Sequence, residues 1–397
     1  MPVSLLENWR REFEKFTSGI DVYIHHGGKR TGQYTELQKH DVVLISYSTA
    51  TLDFSMLTMI NWDLVVVDEA QGIKNPDAQR TRSIKGLHRR ASIAISGTPF
   101  ENHLLDVWSI MDYVEPGYLG TKKEFESNYP DDIIGAEKVE SSITPLMLRR
   151  RVADVAKDLP DRIDIEVPLE MPEKEAEEYE EYRQAILAEY DGKNASLPLL
   201  QKLRMFCTHP EIIKESRIDP TFRSQKYERL CEMLDEISAA GEKCILFTSY
   251  TKMFELLKSD IRQRIGIPVL QINGETPQSE RQAIVDQFSS IEGTALLVLN
   301  PKAAGVGLNI TAATRVIHYN LEWNPAIEDQ ASARAYRRGQ TRKVFVYRLF
   351  YKDTVEEVVN ERIIKKRGMF ESAIVGTDGS QANTEDIIRA LMMTPKY

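Results

Sequence analysis

The chain has 397 residues, of which 42% are hydrophobic and 28% charged, the balance of a globular protein long enough for two separate cores. Its formal charge of −9 excludes a uniformly basic coat but leaves room for a local basic cleft that binds phosphates. No run approaches the ~18 apolar residues of a membrane span, and Met1-Pro2-Val3-Ser4-Leu5-Leu6 lacks the design of a signal peptide. Three cysteines (Cys207, Cys231, Cys244), odd in number and without C-x-x-C spacing, read as reduced core thiols of a cytosolic protein.

In chain order, residues 1 to 147 alternate helix and strand patterns: a helix near Ser4–Phe16, then strands near Val22–His25, Val42–Ser46, Leu64–Val67 and Ser92–Ile95. Such alternation predicts a parallel sheet covered by helices. From about 105 to 220 the pattern is mostly helical, including the charge-dense, solvent-facing Glu173–Ala188. Alternation returns at 223–375, with strands near Cys244–Phe247, Val269–Ile272, Ala295–Leu299, Val316–Tyr319 and Val344–Leu349. An amphipathic helix over Asp353–Arg367 closes this region, and Asp386–Met393 suits a short helix in the tail.

Chemistry concentrates at four places. Leu64-Val65-Val66-Val67 runs into Asp68-Glu69-Ala70-Gln71. A continuous apolar run reads as a buried parallel strand, and parallel sheets place their chemistry at the carboxyl ends of strands. There Asp68 can hold Mg²⁺ through water while Glu69 orients a water against a γ-phosphate. The alternative is a plain acidic helix N-terminus. Ser96-Gly97-Thr98-Pro99-Phe100-Glu101-Asn102 follows another apolar run, so its small residues permit a close approach to phosphate, or form an ordinary turn. Gly305 and Gly307 within Lys302–Thr311 raise the same two readings. In Gln330–Gln340, Arg334 and Arg337 are three apart; on a helix they share one face and can stabilise phosphoryl-transfer charge, or simply face solvent. Cys207-Thr208-His209 has no partner at zinc spacing.

In this order these segments resemble the Swi/Snf-related DNA translocases of helicase superfamily two, over nearly the whole chain. Pro2–Trp9 with Glu12 and Phe16 resembles motif Ia, Asp41–Tyr47 the strand that follows, and Asp68–Gln71 a DEAH-type motif II ending in Gln. Ser96–Tyr113 resembles motif III and its helix. Leu148–Arg151, Leu200–Arg204 and Cys207–Pro210 resemble the landmarks between lobes. Phe247–Tyr250 with Asn273–Thr276 resembles motif IV and its companion, Lys302–Thr311 motif V, Trp323–Pro325 a family block and Gln330–Gln340 motif VI. Ala333 and Arg338 depart from motif VI, where the family shows an acidic and an apolar residue.

The resemblance implies an α/β fold of two RecA-like lobes, parallel sheets with covering helices, with helical insertions between them and the first lobe incomplete. The implied division is a partial N-terminal lobe at 1–147, a helical linker at 148–222, a C-terminal lobe at 223–375 and a tail at 376–397. ATP and Mg²⁺ are the implied cofactors: Asp68 for the metal, Glu69 for the water, Gln330, Arg334 and Arg337 completing the site, with Gly97, Thr98, Gly305 and Gly307 near the nucleotide. Double-stranded DNA is the implied partner, with Ser4, Asn8, Ser46, Ser249, Asn309, Thr311 and Trp323 as its track. The implied activity is a DNA-stimulated ATPase, nucleoid-associated in the cytoplasm of a bacterium or nuclear in a eukaryote.

The chain contains no G-x-x-x-x-G-K-[ST] phosphate loop; Gly28-Lys29 and Gly192-Lys193 both lack its spacing. Since the family carries that loop upstream of motif Ia, the expectation is an N-terminally truncated chain, from a truncated gene, a split gene or a misplaced start. Alone it is expected to be hydrolysis-incompetent: a DNA- or protein-binding remnant, or half of a motor completed by an N-terminal polypeptide. Its first sheet is expected to expose strand edges.

Overall fold

The computed structural model describes residues 1–97, 103–150, 156, 158–189, 196–213, 224–302, 308–372 and 379–395. They form two compact units, Met1–Arg149 with Met369–Gln381, and Arg150–Gly368 with Ala382–Tyr397. Both are α/β with parallel strands, as the alternating pattern predicts.

Unit 1 opens with α1 (Leu6–Phe16), followed by β1 (Val22–His25) and β2 (Val42–Ile45), which pair in parallel. Ser46 caps α2 (Tyr47–Leu52) by accepting from the Thr49 amide. β3 (Trp62–Asp68) and β4 (Arg89–Ile95), joined through α3 (Gln79–Lys85), form a second parallel pair. Val67 of β3 packs with Ala50, Ile84, Ile110 and Tyr113 from α2, α3 and α4 (Leu104–Val114). Helices α5 (Lys122–Asn128), started by a Thr121–Glu124 capping box, and α6 (Ile133–Ile143) complete a smaller core against α4.

The expectation of a buried parallel strand is corrected in part at β3, where Val67 is buried and its neighbours are not. Leu64 and Val66, with Ile93 and Ile95 of β4, remain 38–47% exposed. The helices cover one face only, so alternate residues of an apolar run meet water among the described residues.

Unit 2 carries a six-stranded sheet, all parallel, in the order β5-β10-β9-β6-β8-β7. Its strands are β5 (Arg162–Leu169), β6 (Cys244–Phe247), β7 (Val269–Ile272), β8 (Leu296–Leu299), β9 (Arg315–His318) and β10 (Val344–Tyr351). Here the two-sided burial holds. Cys244 and Leu246 of β6, with Leu296 and Val298 of β8, pack against α9 (Gln225–Ala239) and α10 (Thr251–Arg264). Ile245, Phe247, Leu297 and Leu299 pack on the other face against α11 (Gln278–Ser290) and α12 (Pro325–Ser332). This is why those strands read as unbroken apolar runs.

β5 lies in the stretch expected to be helical. It is an edge strand, Arg-Ile-Asp-Ile-Glu-Val-Pro-Leu, whose alternation fits one-sided burial and whose Pro168 an edge tolerates. Helices α7 (Glu173–Glu189) and α8 (Ser196–Thr208) pack with α13 (Val355–Ser372) and α14 (Gly379–Met392) in a third cluster. All three cysteines are free thiols and buried. No helix among the described residues is long and apolar enough to cross a membrane.

Candidate nucleotide site

β3 delivers Asp68 to its carboxyl end, and the chain turns sharply at Glu69 into a 3₁₀ turn over Ala70–Ile73. Glu69 has φ 53° and ψ 59°, a left-handed conformation that costs a side-chain-bearing residue on the order of 1 kcal/mol or more. The surroundings enforce it. Tyr47 Oη donates to the carbonyls of Asp68 at 2.9 Å and Glu69 at 3.1 Å. Burial, then the charge of Asp68, pushes that phenol well above the ordinary tyrosine range, so it stays a donor. Gly72 passes so close to the Tyr47 ring that a Cβ there would lie 2.8 Å from two ring carbons. The Arg80 guanidinium sits 5.4 Å from the centre of the same ring.

The carboxylates are oriented individually. Asp68 Oδ2 accepts from Trp9 Nε1 at 2.7 Å, while its Oδ1 accepts from the Glu69 amide at 2.9 Å. Glu69, only 9% exposed, accepts from Gln71 Nε2 at 2.6 Å. Gln71 Oε1 in turn accepts from Ser96 Oγ at 3.2 Å, just past β4. A relay therefore runs from the end of β4 through Gln71 to Glu69. Of the small-residue loop, Gly97 is exposed with open space around it, and Thr98 lies outside the described residues.

In unit 2, α12 starts at Pro325 behind an Asn324 side-chain cap and carries Gln330 in its last turn. The single helical face expected for Arg334 and Arg337 is corrected: the helix ends at Ser332, and both arginines lie in the turn that follows. The reason is competition for carbonyls. Ile310 N takes the carbonyl of Arg334 at 3.0 Å, and Gln340 Nε2 takes that of Ala335 at 3.2 Å. Gln340 also donates to the carbonyls of Thr311 and Ala313 and accepts from the amides of Thr341 and Arg342. Gly339 supplies the φ of 102° that closes the turn. Arg334 is half-buried; Arg337 is exposed and donates to the Leu308 carbonyl at 3.4 Å. Gly305 and Gly307 lie outside the described residues.

Beneath the turn, Glu328 is fully buried, accepts from the Glu322 amide at 2.9 Å, and is pushed up to about 8, chiefly by burial. His318, also fully buried, meets Ser332 Oγ through Nε2 at 2.8 Å, and burial lowers it to about 3.

The residues expected on a DNA track divide by exposure. Asn309 is exposed, and Ser4, Asn8, Thr311 and Trp323 are half-buried. Trp323 has the Arg362 guanidinium 5.0 Å from its ring centre. Ser46 is 1% exposed with its hydroxyl spent on the α2 cap, and Ser249 Oγ bonds to Glu322 Oε1 at 2.5 Å.

Sequence reasoning missed Trp9, Tyr47 and Gln340 as site residues. Trp9 and Tyr47 stand 59 and 21 residues from Asp68, so only the fold brings them together. A buried Gln in a polar, basic segment carries no periodic signal at all.

Comparison with known proteins decides the family. The SNF2-related domain profile matches residues 1–212, and the helicase conserved C-terminal domain profile matches 225–339. The chain belongs to the SNF2-related family. YwqA of Bacillus subtilis, whose name proposes an ATP-dependent helicase/translocase, is 35% identical over 392 residues, covering 94% of this chain and 42% of that protein. The ISWI chromatin-remodeling complex ATPase ISW2 of Saccharomyces cerevisiae is 28% identical over 393 residues, covering 92% of this chain and 35% of its own length. The chain thus spans about two fifths of the curated relatives it matches. A Sulfolobus solfataricus SWI2/SNF2 ATPase core in complex with dsDNA is 30% identical, covering 99% of this chain and 85% of that one, with a TM-score of 0.49. Relatives of this SNF2-related chain are named as ATP-dependent helicases and remodelling ATPases.

Proposed function

We propose that this chain provides the catalytic carboxylates and the arginine turn of an ATP-driven motor on two RecA-like lobes that moves along double-stranded DNA. The observation that carries the reading is Glu69, locked by Tyr47 and Gly72 in a strained conformation and aimed through Gln71 and Ser96. Strain of that kind persists where a surrounding structure over-determines it, as at a reaction centre. Glu69 would orient the attacking water, and the relay to Ser96 would report on the phosphate. Gln330, Arg334 and Arg337 would receive the transition-state charge. Gly97, Thr98, Gly305 and Gly307 would let the backbone approach the nucleotide.

The residues present fit Mg²⁺ on one side. Asp68 offers two hard oxygens at a strand end, each holding one hydrogen bond and so retaining a free lone pair. When bound, the ion supplies neutralisation of phosphate charge. Trp9 fixes the carboxylate rotamer that would face it. Asn309, Thr311, Trp323, Ser4 and Asn8 are offered as the phosphate-contacting track; Ser46 and Ser249 would act there through the turns they hold.

The phosphate cradle would come from a polypeptide segment with a G-x-x-x-x-G-K-[ST] loop. The exposed face of β3 and β4 supports this, because Leu64, Val66 and Ile93 place apolar side chains in water beside Asp68, where such a segment would cover them. In a steady-state assay with magnesium-ATP and blunt duplex, the 397-residue chain alone is expected to show no DNA-stimulated hydrolysis. Robust turnover abolished by Glu69→Gln would refute the need for that segment. Duplex binding by anisotropy should weaken steeply as salt rises; no binding at low salt would remove the DNA reading. The second reading is a binding remnant, favoured if a phosphate-loop polypeptide neither co-purifies with the chain nor restores hydrolysis.

A further inference from the structure

Given the roles proposed for Gln330, Arg334 and Arg337, whatever holds α12 also holds their chemistry. Asp329 immediately precedes Gln330 on that helix. Its Oδ1 lies 2.7 Å from Arg367 Nη2 and 3.3 Å from Arg162 Nη2, and its Oδ2 accepts from Arg367 Nε at 3.4 Å. Arg162 also forks onto Asp164 at 2.9 and 2.8 Å, and Arg367 Nη2 stands 3.6 Å from the buried Glu328.

The two arginines occupy particular places in the chain. Arg162 is the first residue of β5, the first strand after the chain enters unit 2 at Arg150. Arg367 lies on α13, one residue before Gly368, where the chain leaves unit 2 again. Of the three passages between unit 2 and the rest of the chain, at Arg150, Gly368 and Ala382, the first two therefore lead to arginines clasped on one carboxylate, next to Gln330 and a short turn ahead of Arg334. Two guanidinium groups share one oxygen, so neutralising it leaves like charges side by side.

We propose that Asp329 is a positioning residue: it ties these two chain passages to α12 and thereby sets the placement of Gln330 and the arginine turn. Displacement of either passage is then transmitted to the arginines through Asp329. The carboxylate is part-exposed, so its loss loosens the turn without unfolding the sheet.

The test is hydrogen exchange on the full chain, reading the amides of Arg334, Ala335, Tyr336 and Gln340, all hydrogen-bonded within the turn. D329N should speed their exchange by about three- to tenfold in low salt, as loss of a part-exposed ionic cluster predicts. The β6, β8 and β9 amides should stay unchanged, and salt near ~1 M should shrink the difference. D329E, which keeps the charge, should restore protection, and R367Q should add little on top of D329N. Unchanged exchange in D329N, equal loss of protection in the strands, or a D329E as loose as D329N would each overturn the proposal. Reconstitution with a phosphate-loop polypeptide separates the two readings. A D329N chain with a loosened turn, while such a polypeptide restores no ATP hydrolysis to the wild type, fails the nucleotide role and leaves the clasp standing. Restored hydrolysis equal in wild type and D329N, with the turn loosened, overturns the positioning of the arginines.

Discussion

Glu328 and His318 bend the stability of unit 2 with pH in opposite directions, and Glu328→Gln isolates one of them. Glu328 titrates at about 8 in the fold, held up by burial and eased by Arg367. The unfolded carboxyl titrates at about 4.3. Between those values the native state holds a proton that the unfolded state has released, so stability falls as pH rises, by about 1.4 kcal/mol per pH unit. The stabilisation is complete below pH ~4.3 and lost by pH ~8, on the order of 3–5 kcal/mol in all. His318 runs the other way. It titrates at about 3 folded, with burial reinforced by Arg367 and Arg162, and at about 6.5 unfolded, so its contribution is lost as pH falls through that window. The slopes cancel between about pH 4.3 and 6.5, leaving a plateau there. Urea unfolding of wild type and E328Q at pH 4.5, 6.5 and 8.5 measures this. E328Q should fall within about 1 kcal/mol of wild type at pH 4.5, since an amide replaces a protonated carboxyl of the same shape. By pH 8.5 it should gain about 3–5 kcal/mol relative to wild type. A difference independent of pH would show that Glu328 does not hold a proton in the fold. A variant that grows relatively weaker as pH rises would make the ionised carboxylate the stabilising form.

Two further outcomes follow from buried contacts. Lys226 and Glu356, 0% and 3% exposed, pair at 2.6 Å beside Tyr351 and Glu175, so Lys226→Met should destabilise unit 2 by about 3–5 kcal/mol in chemical denaturation; adding Glu356→Leu should return most of the loss, and an additive double mutant would contradict the pairing. Gly72→Ala should cost about 1–3 kcal/mol in unit 1 by forcing the Tyr47 ring away, with a change in the near-ultraviolet circular dichroism of tyrosine; a thermal midpoint equal to wild type would refute the close approach.

What could be read from the sequence depended on how each element is buried. β6 and β8 were legible because both faces pack, so every residue had to be apolar. β3 looked the same in sequence, yet half its apolar residues face water. The run specified a strand, but what covers each face is a property of the neighbours. β5 carries the period-two alternation of an edge strand, and its neighbouring charged helices masked it. The end of α12 was illegible because Arg334 and Ala335 lose their carbonyls to Ile310 and Gln340, a competition that no local propensity reports.

By itself the sequence determined the α/β alternation, the order of the family's motifs and the placement of Asp68-Glu69 at a strand end. These rest on periodicity and residue type, which are local. Only the tertiary structure decided that Trp9 grips Asp68, that Tyr47 holds Glu69 in a left-handed turn, and that Asp329 joins Arg162 to Arg367. Those contacts span 22 to 167 residues, and the chain pays their closure entropy only when packed cores bring the partners together.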